Sequence, residues 1–119
     1  MFVCGEEIDK VLIVRKPYAH YIRDGIKTWE MRGKKTKIRG RIGIAEQGTG
    51  KIICLTTISD CLEPIPDSEI DQHFSKHRVD YKNNPDLLKW NTPWVLSDTK
   101  PIEPVDYVHK RGAVIFVNV

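Results

Sequence analysis

Three charged side chains with the chemistry of a ligand site lie close together near the start of the chain. Lys27, Glu30 and Arg32 are the charged residues of the segment GIKTWEMR at positions 25–32. A lysine ammonium can hold a phosphate or polarise a carbonyl, and burial would lower the pKa of Lys27 and let it act as a base. The guanidinium of Arg32 suits a phosphate or a base edge, and Glu30 can orient it or accept a hydrogen bond from an exocyclic amine. The spacing equally fits an internal Glu30–Arg32 ion pair with a structural role.

A strongly basic segment follows directly, with the sequence RGKKTKIRGR at positions 32–41. The chain has 19 basic and 16 acidic residues, so without the six basic residues of this segment the remainder is net negative. Such a patch favours phosphate-rich partners, because binding them releases condensed counterions. The alternative is a solvated loop that only keeps the protein in solution. The six residues predicted to contact phosphates are Arg32, Lys34, Lys35, Lys37, Arg39 and Arg41.

Further candidates for nucleic-acid contacts lie outside this segment. Tyr18 is positioned to stack on a base, an interaction that tolerates any sequence. Lys16, Lys110 and Arg111 would extend the positive surface if the last strand pairs next to the first. We therefore predict RNA, a nucleotide or a nucleoside as the partner.

One histidine pair has the spacing of a metal site. His73 and His77 are four residues apart on a predicted helix, which places both imidazoles on one face. No third ligand is evident, although Asp71 and Asp80 are near in sequence. A solvated helix face explains the pair more simply, so we predict neither a metal nor another cofactor.

The size and cysteine content predict one small domain over residues 1–119 in a reducing compartment. Cys4, Cys54 and Cys61 form no CxxC pair, and Cys54 and Cys61 are expected to be core residues. No apolar run approaches the roughly 20 residues of a membrane span, and the first ten residues lack the features of a signal peptide. The expected location is the cytoplasm, with no membrane contact.

The elements that must position Lys27, Glu30 and Arg32 are a strand, a helix and a second strand. Residues 11–14 (VLIV) predict a buried strand, and a helix is expected from Pro17 to Gly25. Residues 28–32 (TWEMR) alternate in polarity, so Thr28, Glu30 and Arg32 should share one face. Trp29 and Met31 should then face the core.

The rest of the chain predicts further strands and two short helices. A hairpin should join residues 41–45 and 51–58 through a turn at residues 48–50. A helix is expected after Asp67, with Ile70 and Phe74 on one apolar face, and another at Pro85, burying Leu87, Leu88 and Trp90. Residues 94–96 resume a strand, Pro101 and Pro104 indicate a loop, and residues 113–119 form a final strand. About six strands and two or three helices indicate an α+β fold built on a small β-barrel.

The segment at positions 25–32 has the form G-x-K-x-x-E-x-R, which resembles the signature of the ASCH family. The later segments RGRIGIA, GTGKI and HKRGAVIFV also resemble features of that family. The resemblance implies a six-stranded PUA-like barrel. It also implies a cleft between the barrel and the first helix, lined by Lys27, Glu30 and Arg32.

The resemblance implies binding of RNA or nucleotides, whereas some relatives are amidohydrolases acting on N-acetylated cytidine and others are ribonucleases. In the amidohydrolases the motif resembles K-x-x-T, and the threonine proposed as nucleophile aligns with Glu30. A carboxylate is a poor nucleophile for an amide, although Lys27 and Glu30 together could activate a water and Thr28 is a candidate substitute. For a ribonuclease, Lys27, Tyr18, His20 and His109 are available, but no spacing requires that role. We therefore rank binding first, hydrolysis with Lys27 as the catalytic residue second, and a protein-interaction module third.

Overall fold

The computed structural model describes all residues from 1 to 119. Most regular structure is in strands, and the helices are short. The strands are β1 (Phe2–Val3), β2 (Glu6–Glu7), β3 (Lys10–Val14), β4 (Trp29–Arg32), β5 (Gly40–Glu46), β6 (Lys51–Cys61), β7 (Thr92–Asp106) and β8 (Phe116–Asn118). The helices are α1 (Tyr18–Arg23) and α2 (Phe74–His77), with single 3₁₀ segments at Ile70–His73 and Pro85–Lys89. None of these helices has the length and apolar character that crossing a bilayer requires.

Six strands form one sheet in the order β4-β7-β6-β5-β3-β8, while β1 and β2 form a separate small hairpin. Only β3 and β5 run parallel, and every other pair in the sheet is antiparallel. The sheet curls into a half-barrel, which confirms the predicted α+β, barrel-like architecture. The last strand, β8, pairs beside β3, which is the condition on which the predicted extension of the positive surface depended.

The apolar residues of the strands form a core on each side of the sheet. One cluster lies inside the curl, where Leu12, Val14 and Ile44 pack against Ile22 of α1. A second cluster on the other side contains Val11, Ile13 and Leu55 with further apolar residues. Both faces of β3 are therefore buried, which explains why its sequence is continuously apolar rather than alternating.

The predicted hairpin between β5 and β6 is confirmed, and so is the end of α1. Gly25 follows α1 with a φ of +79°, a left-handed conformation that favours glycine and ends the helix. The chain then turns sharply enough for Lys27 and β4 to lie beside the same helix. This turn sets the position of the charged segment.

The loop predicted at Pro101 and Pro104 is wrong, because both residues lie within the long strand β7. Beyond residue 96, β7 pairs with β6 on one side and has no partner strand on the other. A proline without an amide hydrogen is compatible with such an edge. One of the three irregularities in the β6–β7 register lies between the partners Pro101 and Val105, so it also accommodates Pro104.

The predicted helix after Asp67 begins later, at Ile70, and its first turn is 3₁₀ rather than α. Residues four apart do not share a face across a change from 3₁₀ to α-helix, so Ile70 is buried whereas Phe74 is exposed. The helix at Pro85 is present as a 3₁₀ turn, and its Leu87, Leu88 and the following Trp90 are half-buried rather than buried.

The final strand is shorter than predicted and covers only Phe116–Asn118. Ile13 donates its amide hydrogen to the carbonyl of Ile115 (2.9 Å), as the next step of the ladder requires. The carbonyl of Ile13, however, accepts a hydrogen bond from Nη2 of Arg32 (2.8 Å). The ladder between β3 and β8 therefore ends where Arg32 takes the place of a strand partner.

Candidate functional site

A cavity of about 510 Å³ opens between β4, the start of α1 and the segments around residues 90 and 115. Its charged floor contains Lys27, Glu30 and Arg32, the three residues that the sequence predicted as a site. Its walls include the aromatic side chains of Tyr18, Tyr81, Trp90 and Trp94. Charged groups below flat apolar walls are the usual arrangement of a pocket for a small, partly aromatic ligand.

Lys27 lies at the bottom of the cavity and is only 1% exposed. Its Nζ donates to the carbonyl oxygen of His77 (2.5 Å) and lies 3.7 Å from Oε1 of Glu30. The ring centre of Tyr18 is 5.1 Å from the same ammonium. Burial lowers the pKa of Lys27 to about 8, although the nearby Glu30 carboxylate favours the charged form.

Glu30 joins the two cations of the floor. Its Oε2 accepts hydrogen bonds from Nη2 (2.7 Å) and Nε (3.0 Å) of Arg32. Its Oε1 accepts no hydrogen bond from the protein and has only the ammonium of Lys27 nearby. Because Glu30 lines the cavity, Oε1 can accept a hydrogen bond from a ligand.

Arg32 has a structural role as well as a position in the site. Besides the fork to Glu30, its bond to Ile13 connects β4 with β3 across the open side of the half-barrel. Its guanidinium also lies 5.6 Å from the ring centre of Trp94. The internal ion pair considered above therefore exists, and it lies within the cavity rather than apart from it.

The interpretation of His73 and His77 as a solvated helix face is wrong, because His77 is fully buried. Its Nδ1 accepts the amide hydrogen of Val79 (2.9 Å), so Nε2 carries the proton and donates to the carbonyl of Ile70 (2.8 Å). Burial lowers the pKa of His77, partly opposed by the hydrogen bond to Ile70. Both ring nitrogens are occupied, whereas the ring of His73 packs on Trp29. The contribution of His77 to the site is its carbonyl, which holds Lys27, and no sequence pattern indicated this.

Tyr18 and Thr28 were both predicted to contribute to the site, but only Tyr18 lines the cavity. Tyr18 is half-buried and lines the wall, and burial raises the pKa of its hydroxyl. Thr28 is exposed, precedes β4 and is not among the lining residues. His20 and His109 also lie outside the cavity. His20 lies beside Glu46, and His109 lies between the hydroxyl of Tyr107 and the carbonyl of Ala113. As predicted, Trp29 is in the core.

Carboxylates are paired with most of the basic segment at positions 32–41. Arg32, Lys35, Arg39 and Arg41 pair with Glu30, Glu63, Asp60 and Glu6 respectively. Arg41 also donates to Thr57 and to the Asp98 carbonyl, so it stabilises the sheet. Only Lys34 and Lys37 have no ion pair, and of these two Lys34 lines the cavity.

The remaining predicted cations are exposed, and none of them lines the cavity: Lys16, Lys110 and Arg111. Instead, Val114 and Ile115 of the adjoining segment complete one wall. Sequence reasoning missed Arg15, Trp90 and Trp94 as lining residues. Arg15 directly follows the first buried strand, and this position beside the start of α1 was the only signal that could have identified it.

The sequence model of the ASCH domain family matches residues 12–106, which is most of the chain. The crystal structure of ASCH from Zymomonas mobilis is similar, with a TM-score of 0.67 at 18% identity over 82% of this chain and 72% of that chain. A serine-to-alanine variant of the Z. mobilis protein has a TM-score of 0.72 at 15% identity, covering 92% and 87%. A tyrosine-to-phenylalanine variant has a TM-score of 0.67 at 19% identity, covering 82% and 74%. At these identities the likeness shows a shared fold. No curated protein matches the sequence.

Proposed function

The chain belongs to the ASCH domain family, and from this premise we propose that it binds RNA or a nucleotide with one base held in the cleft between α1 and β4. In this proposal the base lies between the aromatic walls, above the floor formed by Lys27, Glu30 and Arg32. Stacking supplies affinity for any base, and hydrogen bonds at the floor select among bases.

The observation that carries the proposal is that the two oxygens of the Glu30 carboxylate have different hydrogen-bond partners. One oxygen is fully used by Arg32, whereas Oε1 has no hydrogen-bond donor although the side chain is nearly buried. Oε1 is not shut away from the cavity, so a ligand donor that reaches it would form a charge-assisted hydrogen bond with the carboxylate. The exocyclic amine or ring N–H of a base is such a donor, and the flat cavity above accepts its ring.

The backbone of a longer RNA would leave the cleft beside the basic segment. Lys34 and Lys37 are the residues of that segment without carboxylate partners, so they are the ones available to phosphates without breaking an ion pair. Since four of the six cations are already paired, we expect a moderate dependence of affinity on salt rather than a steep one.

An NMR titration of isotope-labelled protein with cytidine, adenosine, N-acetylcytidine and a short single-stranded RNA tests the proposal. Shifts should concentrate on residues 27–32 and Tyr18. Glu30→Gln should weaken binding of the bound nucleosides by about tenfold or more, the effect of losing a charge-assisted hydrogen bond. Glu103→Gln, at an exposed residue without an ion pair, is the matched control and should change little. Absence of shifts with every ligand would instead favour a protein partner.

Hydrolysis in the same cleft is the second candidate, because the lowered pKa of Lys27 makes its amine available as a base near neutral pH. The Lys27 amine is 3.7 Å from Glu30, and the two groups could together activate a water. The titration separates this reaction from binding through the ligand signals. Loss of the acetyl resonance or cleavage of the RNA, abolished by Lys27→Met, would establish an enzyme.

A further inference from the structure

The four cations that reach the cavity fall into two classes. Lys27 and Arg32 lie at the floor, where the carboxylate of Glu30 is close to both. Arg15 and Lys34 lie at the exposed rim, and their side chains form no ion pair or hydrogen bond within the protein. The charge of the floor is thus partly neutralised, whereas that of the rim is free to act on an anion.

Trp90 lies in the cavity wall near both rim residues. The guanidinium of Arg15 lies 4.9 Å from the ring centre of Trp90. A Cβ atom placed on Gly33 would be 3.6 Å from Cδ1 of the same ring, so the residue before Lys34 lies close to Trp90. The carbonyl of Lys34 accepts a hydrogen bond from Nε1 of Trp94 (2.9 Å), which fixes the backbone on the other side.

Trp90 is itself held firmly. Its carbonyl accepts the hydroxyl of the buried Tyr81 (2.6 Å), and its amide donates to the carbonyl of Leu87 (2.9 Å). A guanidinium that lies on an aromatic ring contacts the ring through its own flat face. The N–H groups at the edge of the guanidinium stay free to bind a ligand. Arg15 is therefore oriented before any ligand arrives, which lowers the entropic cost of binding.

We propose that Arg15 and Lys34 form a phosphate-binding pair at the rim, and that the ligand is a phosphorylated nucleoside rather than a free one. This inference rests on the proposed function, since it places the base of the same molecule at the Glu30 floor. Arg15 supplies a preoriented fork for two phosphate oxygens and Lys34 adds a mobile ammonium. The rim, rather than the paired cations of the basic segment, then supplies selectivity for a phosphate.

Calorimetric titration with the four ribonucleosides and with their 5′- and 3′-monophosphates tests this inference. For the best-bound base, at least one monophosphate should bind about tenfold or more tightly than its nucleoside, as expected for charge-assisted hydrogen bonds. Arg15→Ala and Lys34→Ala should each remove most of that gain while leaving nucleoside affinity nearly unchanged. Arg15→Lys should retain part of the gain, because it keeps the charge and loses the fork.

Lys82→Ala is the matched control, because Lys82 is an exposed lysine without an ion pair that does not line the cavity. It should leave the phosphate gain intact. Nucleoside binding without a phosphate gain, or a gain that survives both alanine variants, would overturn the inference and leave the proposed function standing. Absence of binding by every nucleoside and nucleotide, and by the short RNA, would overturn both.

Discussion

Lys27 is the residue whose surroundings differ most from those that its side chain prefers. A lysine is almost never fully buried unless it is paired, and Lys27 is 1% exposed with one carbonyl and one carboxylate as its polar partners. Burial opposes its charge more strongly than Glu30 supports it, which is why its pKa falls to about 8. This residue therefore lowers stability at neutral pH, as functional residues often do.

We expect a pH-dependent difference in stability between the wild type and Lys27→Met. Above the unfolded pKa of 10.5 the lysine is neutral in both states and carries no penalty. As the pH falls, the unfolded chain takes up the proton first, so the wild type loses stability until the folded pKa of about 8 is passed. The unfolding free energy of the wild type relative to Lys27→Met should therefore fall by about 3 kcal/mol across this range.

Urea denaturation of both proteins between pH 7 and pH 11 measures this difference, and subtraction cancels the groups that titrate equally in both. Lys37→Met is the control at an exposed position, and its difference from the wild type should not vary with pH. A constant difference for Lys27→Met would mean that the ammonium is solvated.

At the scale of elements, the short strand β4 holds the charged floor in place. It pairs with β7 over residues 29–32 and lies at one edge of the sheet, while β8 lies at the other. The fork of Arg32 reaches from this edge to the carbonyl of Ile13 in β3. The half-barrel is thus connected at its open side by a side chain and not by a strand, which leaves room for the cavity.

Replacing Arg32 by lysine should weaken this connection. A single ammonium cannot reproduce the three hydrogen bonds that Arg32 makes to Glu30 and Ile13, so we expect a loss of about 1–3 kcal/mol in stability. Faster hydrogen exchange at residues 29–32 would locate the change in β4. Arg39→Lys is the control, because Arg39 is exposed, its hydrogen bonds go to nearby backbone carbonyls and its ion pair with Asp60 is long (3.9 Å). This change should cost less than about 0.5 kcal/mol. Equal effects of the two changes would contradict the role of Arg32.

At the scale of the whole molecule, carboxylates from distant parts of the chain neutralise much of the basic segment. Glu6 lies near the start of the chain, and Asp60 and Glu63 lie at and just beyond the end of β6. The formal charge of +3 therefore overstates how much of the segment is free to attract an anion. Arg41 is the clearest example of a neutralised cation. It pairs with Glu6 of the small hairpin and donates a hydrogen bond to Thr57 of the main sheet, so it connects the two.

Releasing one of these cations should change the salt dependence of RNA binding. Glu63→Gln frees Lys35, so the slope of log affinity against log salt should steepen by up to about 0.7 for a single strand. Glu103→Gln makes the same change of net charge away from the segment and separates local release from the overall charge. Fluorescence anisotropy with a labelled RNA at several salt concentrations gives both slopes. Identical slopes for the two variants would show that Lys35 does not reach the RNA.

Local patterns predicted much of the fold because they express local physics. Three such patterns have the structure that their backbone preferences predict. They are the strand at residues 11–14, the turn at residues 48–50 and the glycine that ends α1. The errors at Pro101 and at Phe74 have the opposite origin. A proline is tolerated in β7 only because one side of that strand is unpaired, and the exposure of Phe74 depends on a change of helix type.

The sequence by itself indicated the family, through the resemblance of the motif at positions 25–32, and strand alternation placed Glu30 and Arg32 on one face. The number of predicted strands and helices indicated the barrel-like architecture. Only the tertiary structure decided that Lys27 is buried, that Arg32 closes the sheet and that most of the basic segment is paired. It also placed Arg15 and Trp90 at the rim of the cavity. Apart from Glu30, which is two residues from Arg32, the partners in these cases lie 19 to 75 residues apart in the chain. Contacts across such separations depend on how the sheet curls, and no local preference encodes that.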